Sequence, residues 1–199
     1  MGPIVPVLVI NNVEEALPIA EALLTAGIKV LEVTLRTSAA LDVISAIAKE
    51  LPEAIVGSGT VTNRQQLQQS YDAGAKFAIS PGLTKDLLQA GNEGNIALIP
   101  GISSISELMD GADYGYDHLK FFPAEASGGV NAIKSIGGPF PDIRFCPTGG
   151  INLNNVRDYL ALPNVVCCGG SWLVSNEIVQ NKNWTAITTL ANQALAHVK

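Results

Sequence analysis

Short apolar runs alternate along this chain with segments whose apolar residues recur every three or four positions, the signature of strands alternating with helices. The runs fall at residues 4–10, 30–35, 55–61, 77–80, 97–100, 119–123, 143–147 and 165–168, most of them rich in Val, Ile or Phe and bounded by Gly or Pro. The first helix pattern starts at Asn12, has Glu15 three residues on, repeats through Ala16, Ile19, Ala20, Leu23 and Leu24, and stops at Gly27. Further helices are predicted from Ser38, Asn63, Thr84, Ser104 and Asn152, with Ser104 and Glu107 spaced as a capping box and Gly74 at a helix end. Weaker helical patterns cover residues 130–136 and 184–198.

Eight strands, each followed by a helix and with no linker or repeat between them, predict a single-domain (β/α)8 barrel over residues 1–199. Closure also removes exposed sheet edges. An open doubly wound sheet is the alternative, but its usual mark is a glycine-rich turn after the first strand. Val9-Ile10-Asn11-Asn12-Val13 supplies no glycine there.

Composition narrows the function. With 199 residues, 47% of them hydrophobic, the chain can bury one good core. A charged fraction of 15% and a net charge of -6 leave no basic stripe, so neither nucleic acid nor an anionic membrane is an expected partner. No apolar run approaches a spanning helix, and nothing at the start reads as a signal peptide, so the expectation is a soluble, unprocessed, cytoplasmic protein. Cys146, Cys167 and Cys168 lie in apolar runs without redox or zinc spacing and read as buried strand residues.

In a barrel of this kind the chemistry sits where strands end. Period-two geometry puts Glu32, Thr34 and Arg36 on the face opposite Leu31, Val33 and Leu35. Taken alone, Glu32 and Arg36 could be a structural ion pair as readily as a site. Lys120 shifts the weight, because it stands among Leu119, Phe121 and Phe122 in a strand expected to be buried on both faces. Desolvation and a cation such as Arg36 would favour the neutral amine, the form that attacks a carbonyl to give an imine. A lysine snorkelling to solvent is the bland alternative. Lys29, Lys49, Lys76, Lys85, Lys134, Lys182 and Lys199 read as solvated.

Two glycine-rich turns add a second signal: Thr148-Gly149-Gly150 after the seventh strand and Gly169-Gly170-Ser171 after the eighth, where barrels often hold phosphate. Backbone N–H groups can approach an anion closely there, with the Ser171 hydroxyl as a further donor. Gly57-Ser58-Gly59-Thr60 is a related turn, with Thr60 able to bond a carboxylate. The two histidines, His118 and His197, do not build a metal site, and no cofactor or metal is expected.

Taken in order, these runs resemble the pyruvate-dependent class I aldolases that cleave 2-keto-3-deoxy-6-phosphogluconate (KDPG), with the related 4-hydroxy-2-oxoglutarate (KHG) activity. The resemblance covers nearly the whole chain, including residues 31–37, 57–61, 78–82, 98–101, 120–125, 144–151 and 169–173. It implies Lys120 as the imine-forming lysine and Glu32 as general acid and base. It implies Arg36 and Thr60 on the pyruvyl carboxylate, Pro81 and Phe122 packed on the pyruvyl group, and Gly149, Gly150, Gly170 and Ser171 on the phosphate. Thr148 would touch a substrate hydroxyl and favour the gluconate over the galactonate epimer. The family's members commonly form homotrimers and carry a barrel-floor helix before the first strand. Only Met1 and Gly2 precede the strand pattern here, so a barrel without that helix is expected. A phosphosugar isomerase or epimerase using Glu32 as base, and a non-catalytic phospho-metabolite binder, remain alternatives on the same residues.

Overall fold

A computed structural model describes residues 2–198. Its strands are β1 (Ile4–Leu8), β2 (Val30–Thr34), β3 (Ile55–Gly59), β4 (Phe77–Ile79), β5 (Ala97–Ile99), β6 (Gly101–Ile102), β7 (His118–Phe121), β8 (Arg144–Pro147) and β9 (Cys168–Gly170). Among them run helices α1 (Ala16–Thr25), α2 (Ala40–Glu50), α3 (Arg64–Asp72), α4 (Lys85–Glu93), α5 (Ile105–Asp113), α6 (Gly129–Ile136), α7 (Val156–Leu160), α8 (Asn176–Gln180) and α9 (Trp184–His197). Every strand pairing is parallel, in an α/β fold with a curled sheet. One arc has the order β5-β4-β3-β2-β1-β9 and the other β6-β7-β8. Pro100 alone separates β5 from β6, and isolated bridges Phe145–Val165 and Thr148–Gly169 link the β8 and β9 sides.

Both faces of β1 and β2 are buried, as a parallel sheet under helices requires. The helices seat their apolar stripes on it: Ile19 and Leu23 of α1, Val43, Ile44 and Ile47 of α2, and Ile187, Ala191 and Ala194 of α9 are all buried. A smaller cluster of Val5, Val30, Phe77, Ile79, Cys146 and Cys167 forms a separate apolar group. No helix among the described residues is long and apolar enough to cross a membrane.

The predicted caps at Asn63, Thr84 and Ser104 all form, and Ser104 with Glu107 makes the complete capping box. The first helix departs from its prediction. Asn12 accepts from the Glu14 N–H and opens a 3-10 turn over Val13–Glu15, while the α-helix starts at Ala16. Pro18 has no N–H to give to residue 14, so regular bonding cannot begin earlier. The helices expected from Ser38 and Asn152 start later, at Ala40 and Val156. The five residues of α8 are too few to show a period and were not anticipated.

Two strands also need correction. The expected fifth strand over 97–100 ends at Ile99, since Pro100 has no N–H for a ladder, and an unanticipated short strand, β6, follows it, with the Gly101 N–H bonded to Ser80 Oγ at 3.2 Å. The expected strand over 165–168 pairs at Cys168–Gly170 instead, in register with Ile4, Val5 and Pro6. Val165 makes only an isolated bridge to Phe145 and donates to the Leu162 carbonyl in a turn, so the buried start of the expected run does not extend into a strand. Gly169 and Gly170 therefore belong to a strand, and the expected glycine turn is shorter than the sequence implies.

Candidate active site

Parallel pairing aligns the C-terminal ends of the strands, so the residues that follow them share one face of the sheet. Leu35 N–H donates to the Gly59 carbonyl at 2.8 Å, which places Arg36 and Thr60, the next residues, beside each other's strand ends. Ser80 N–H bonds the Ile99 carbonyl, and Thr148 N–H the Phe121 carbonyl, bringing Pro81 and Phe122 to the same level. Lys120 pairs in register with Gly101 on one side and Cys146 on the other.

Lys120 is 5% exposed and Glu32 1% exposed, and Lys120 Nζ donates to Glu32 Oε1 at 3.3 Å. The partner of the buried carboxylate is thus Lys120, across 88 positions of chain, and the Glu32–Arg36 pair that the sequence allowed does not form. Arg36 is exposed, and its Nε donates to Thr34 Oγ1 at 3.2 Å. Thr34 passes its own hydroxyl hydrogen to the Leu8 carbonyl at 2.9 Å, which ties the end of β2 to the end of β1. Lys120 Nζ also lies 5.1 Å from the centre of the half-buried Phe122 ring.

Space for this pair is made by glycine. A Cβ on Gly59 would stand 2.2 Å from Glu32 Oε1, and one on Gly57 would collide with the Phe77 ring at 2.3 Å. Glu32 Oε2 and Thr148 Oγ1 are buried without a hydrogen-bond partner among the described residues. Buried polar atoms are seldom left so unless a ligand or solvent completes them. Thr60 holds a φ of 61°, a strained conformation for a β-branched residue and a frequent mark of binding loops.

The Gly149-Gly150 turn uses left-handed backbone at both residues, with φ of 103° and 78°. Its carbonyls are tied down: Gly149 accepts from the Glu125 N–H at 3.1 Å, and Gly150 from Asn152 Nδ2 and Asn155 Nδ2 at 3.3 and 3.2 Å. Thr148, just before the turn, bridges to Gly169 of β9. Gly169 is required for contact with Thr148, whose Oγ1 would lie 2.3 Å from a Cβ there, and Gly170 for contact with the Trp172 ring. Ser171 is exposed beyond them.

Lys29, Lys49, Lys76, Lys85, Lys134 and Lys182 are exposed, as expected, and Lys199 lies outside the described residues. His118 opens β7, exposed, with Nδ1 2.7 Å from Asp117 Oδ1, and this contact holds the Asp117 carboxyl below its ordinary value. Two groups near the site escaped sequence reasoning. Contact with Cys167, with burial next, pushes the Cys146 thiol well up. Tyr159 hydrogen-bonds Glu125, and burial followed by that carboxylate raises its phenol above the usual range. Nothing in the spacing pointed to either contact, since each joins segments from different units.

The family profile described as KDPG and KHG aldolase matches residues 1–190. A 2-dehydro-3-deoxy-phosphogluconate aldolase of Pseudoalteromonas atlantica is 68% identical over 195 residues, covering 98% of this chain and 91% of that protein. A KHG/KDPG aldolase of Escherichia coli is 59% identical, covering 100% of this chain and 93% of its own length. The crystal structure of KDPG aldolase from Legionella pneumophila, with pyruvate captured at low pH as a covalent carbinolamine intermediate, superposes with a TM-score of 0.95 at 52% identity. It covers 96% of this chain and 93% of that one. With a family match over most of its length and relatives this similar, the chain belongs to the KDPG and KHG aldolase family.

Proposed function

We propose that this chain is a class I aldolase that cleaves KDPG to pyruvate and glyceraldehyde 3-phosphate through an imine on Lys120, and KHG to pyruvate and glyoxylate by the same route. The observation that carries the reading is the buried Lys120 Nζ at 3.3 Å from Glu32, in a chain of this family. Among the described residues, Glu32 is the carboxylate within reach of that nitrogen and so placed to move its protons. It takes a proton from the Lys120 ammonium, and the freed amine attacks the keto carbon of the substrate to form a carbinolamine. Glu32 then returns the proton to the departing hydroxyl, and water leaves the iminium behind. In the next step Glu32 accepts the proton of the hydroxyl on the fourth carbon, the bond to the third carbon breaks, and its electron pair enters the iminium to give an enamine. The aldehyde departs, the enamine is protonated at its terminal carbon, and hydrolysis releases pyruvate.

Around this centre we assign Arg36 and Thr60 to the pyruvyl carboxylate, and Pro81 and Phe122 to the pyruvyl face. Thr148, whose buried Oγ1 lacks a partner, is assigned to a substrate hydroxyl, and Gly149, Gly150, Gly170 and Ser171 to the phosphate. The left-handed backbone of Gly149 and Gly150, which only glycine adopts freely, supports the last assignment. We read the two arcs of strands as one (β/α)8 ring and residues 1–199 as one domain, supported by the bridges between β8 and the β9 segment. By its family resemblance we expect a homotrimer, which sedimentation would check. Neither the isomerase reading nor the binder reading gains support from the relatives. Reduction with borohydride in the presence of pyruvate, followed by peptide mass spectrometry, tests the proposal. A pyruvyl adduct confined to Lys120 supports it; folded protein, saturated with pyruvate yet unmodified at Lys120, overturns it.

A further inference from the structure

The Gly149-Gly150 turn rests on a side chain that the reaction does not use. Glu125 follows the strand that carries Lys120, and its N–H holds the Gly149 carbonyl at 3.1 Å, beside the Ala124 N–H on the Thr148 carbonyl at 2.8 Å. Its stem lies directly under Gly150, where an added Cβ would fall 2.6 Å from Glu125 Cγ and 2.7 Å from Cβ. The carboxylate is carried away from the turn to the hydroxyl of Tyr159, a residue of α7 whose side chain is otherwise fully buried. Gly129, with φ of 60°, leaves the room: a Cβ there would stand 3.3 Å from Glu125 Oε1 and 3.4 Å from the Tyr159 hydroxyl.

From this arrangement we infer that Glu125 and Tyr159 are a positioning pair, which fixes the 149–150 turn in the shape that receives a phosphate and so tunes the enzyme toward phosphorylated keto acids. The inference rests on the assignment of phosphate to the glycine turns made above. Two independent tethers bear on the turn. The asparagines of the loop before α7 hold the Gly150 carbonyl, and the Glu125 segment holds Gly149 while its stem blocks collapse of Gly150. Tyr159 donates to a carboxylate, a stronger bond than a neutral pair makes, and fixes a side chain that would otherwise rotate freely in solvent. It also locks α7, the helix that follows the turn, to the segment after the catalytic lysine. A carboxylate left free beside the cradle would meet the phosphate as a like charge. Held by Tyr159, it presents only methylene groups to Gly150.

The test compares the full-length wild type with Tyr159→Phe, Glu125→Ala and Glu125→Gln. Three quantities are read: KM and kcat for KDPG, competition by inorganic phosphate, and the rate of borohydride inactivation with pyruvate, which has no phosphate. Tyr159→Phe and Glu125→Ala are expected to raise KM for KDPG and weaken phosphate competition about tenfold, with pyruvate trapping within about twofold of wild type. Glu125→Gln, which keeps the stem and an acceptor oxygen, should recover most of the loss. Unchanged KM and phosphate competition in Tyr159→Phe and Glu125→Ala would overturn the inference. So would equal losses in KDPG turnover and pyruvate trapping, which mark a general structural role. If inorganic phosphate fails to compete in the wild type itself, the phosphate assignment falls and the pair's role with it, while pyruvate trapping still reports on Lys120 separately.

Discussion

Lys120 and Glu32 are each nearly inaccessible to water, so each depends on the other for its charge. Lys120→Met leaves the Glu32 carboxylate buried without a counter-charge and should cost about 3–5 kcal/mol in urea unfolding. The double substitution Lys120→Met with Glu32→Gln should regain most of that stability while staying inactive. On the imine mechanism proposed above, Lys120→Met is expected to lower kcat/KM by at least about 10³-fold. Glu32→Gln should lower kcat by about 10²- to 10⁴-fold, the range for loss of a general acid and base. Steady-state assays on the folded variants check both. At this scale the sequence made Lys120 visible because a cation among aromatics in a strand is anomalous. Its partner was not visible: Arg36 stood nearer to Glu32 in the chain, and only the wrapping of the sheet brings Lys120 across to it. The same holds for Glu125 and Tyr159, which are 34 residues apart.

Elements were legible where a local rule decides them. Asn63, Thr84 and Ser104 cap helices because each side chain accepts from a backbone N–H that the helix cannot satisfy. They were illegible where a neighbour decides. Whether Cys168–Gly170 or the more apolar residues before it would pair depended on the register of β1. The Ser104 box offers a test. Burial opposes ionisation of Glu107, but hydrogen bonds from Ser103 and Ser104 outweigh it and hold the carboxyl below its ordinary value. A depressed folded value means that Glu107 contributes stability in full above about pH 4.3, its unfolded value. That contribution disappears as pH falls through the lower folded value. Glu107→Ala should cost about 0.5–1 kcal/mol at pH 7, as exposed caps do. Thermal melts should show a Tm lower by about 2 °C. The gap between variant and wild type should close as the pH is taken below 4.

At the scale of the whole molecule, β1 lies between β2 and β9, so the first strand is bonded to segments from both ends of the chain. Thr188 of α9 donates to the Ala22 carbonyl of α1 at 2.8 Å, and the two helices pack together. Neither half of the sheet has a finished edge without the other. Tryptophan fluorescence from Trp172 and Trp184 and far-UV ellipticity should therefore trace one coincident urea transition. Separated transitions would mean that the arcs fold independently. The three buried cysteines, none of them in a disulfide, extend this reasoning. Cys146 sits in register with Lys120 and Cys168 with Ile4, one on each arc. A thiol reagent reaches such sulfurs only when the surrounding structure opens. Native protein should thus react slowly and denatured protein at once, the two arcs keeping the same pace if they open together. The sulfurs are a natural clock for the breathing of the fold, and pyruvate bound at Lys120 should make it run slower.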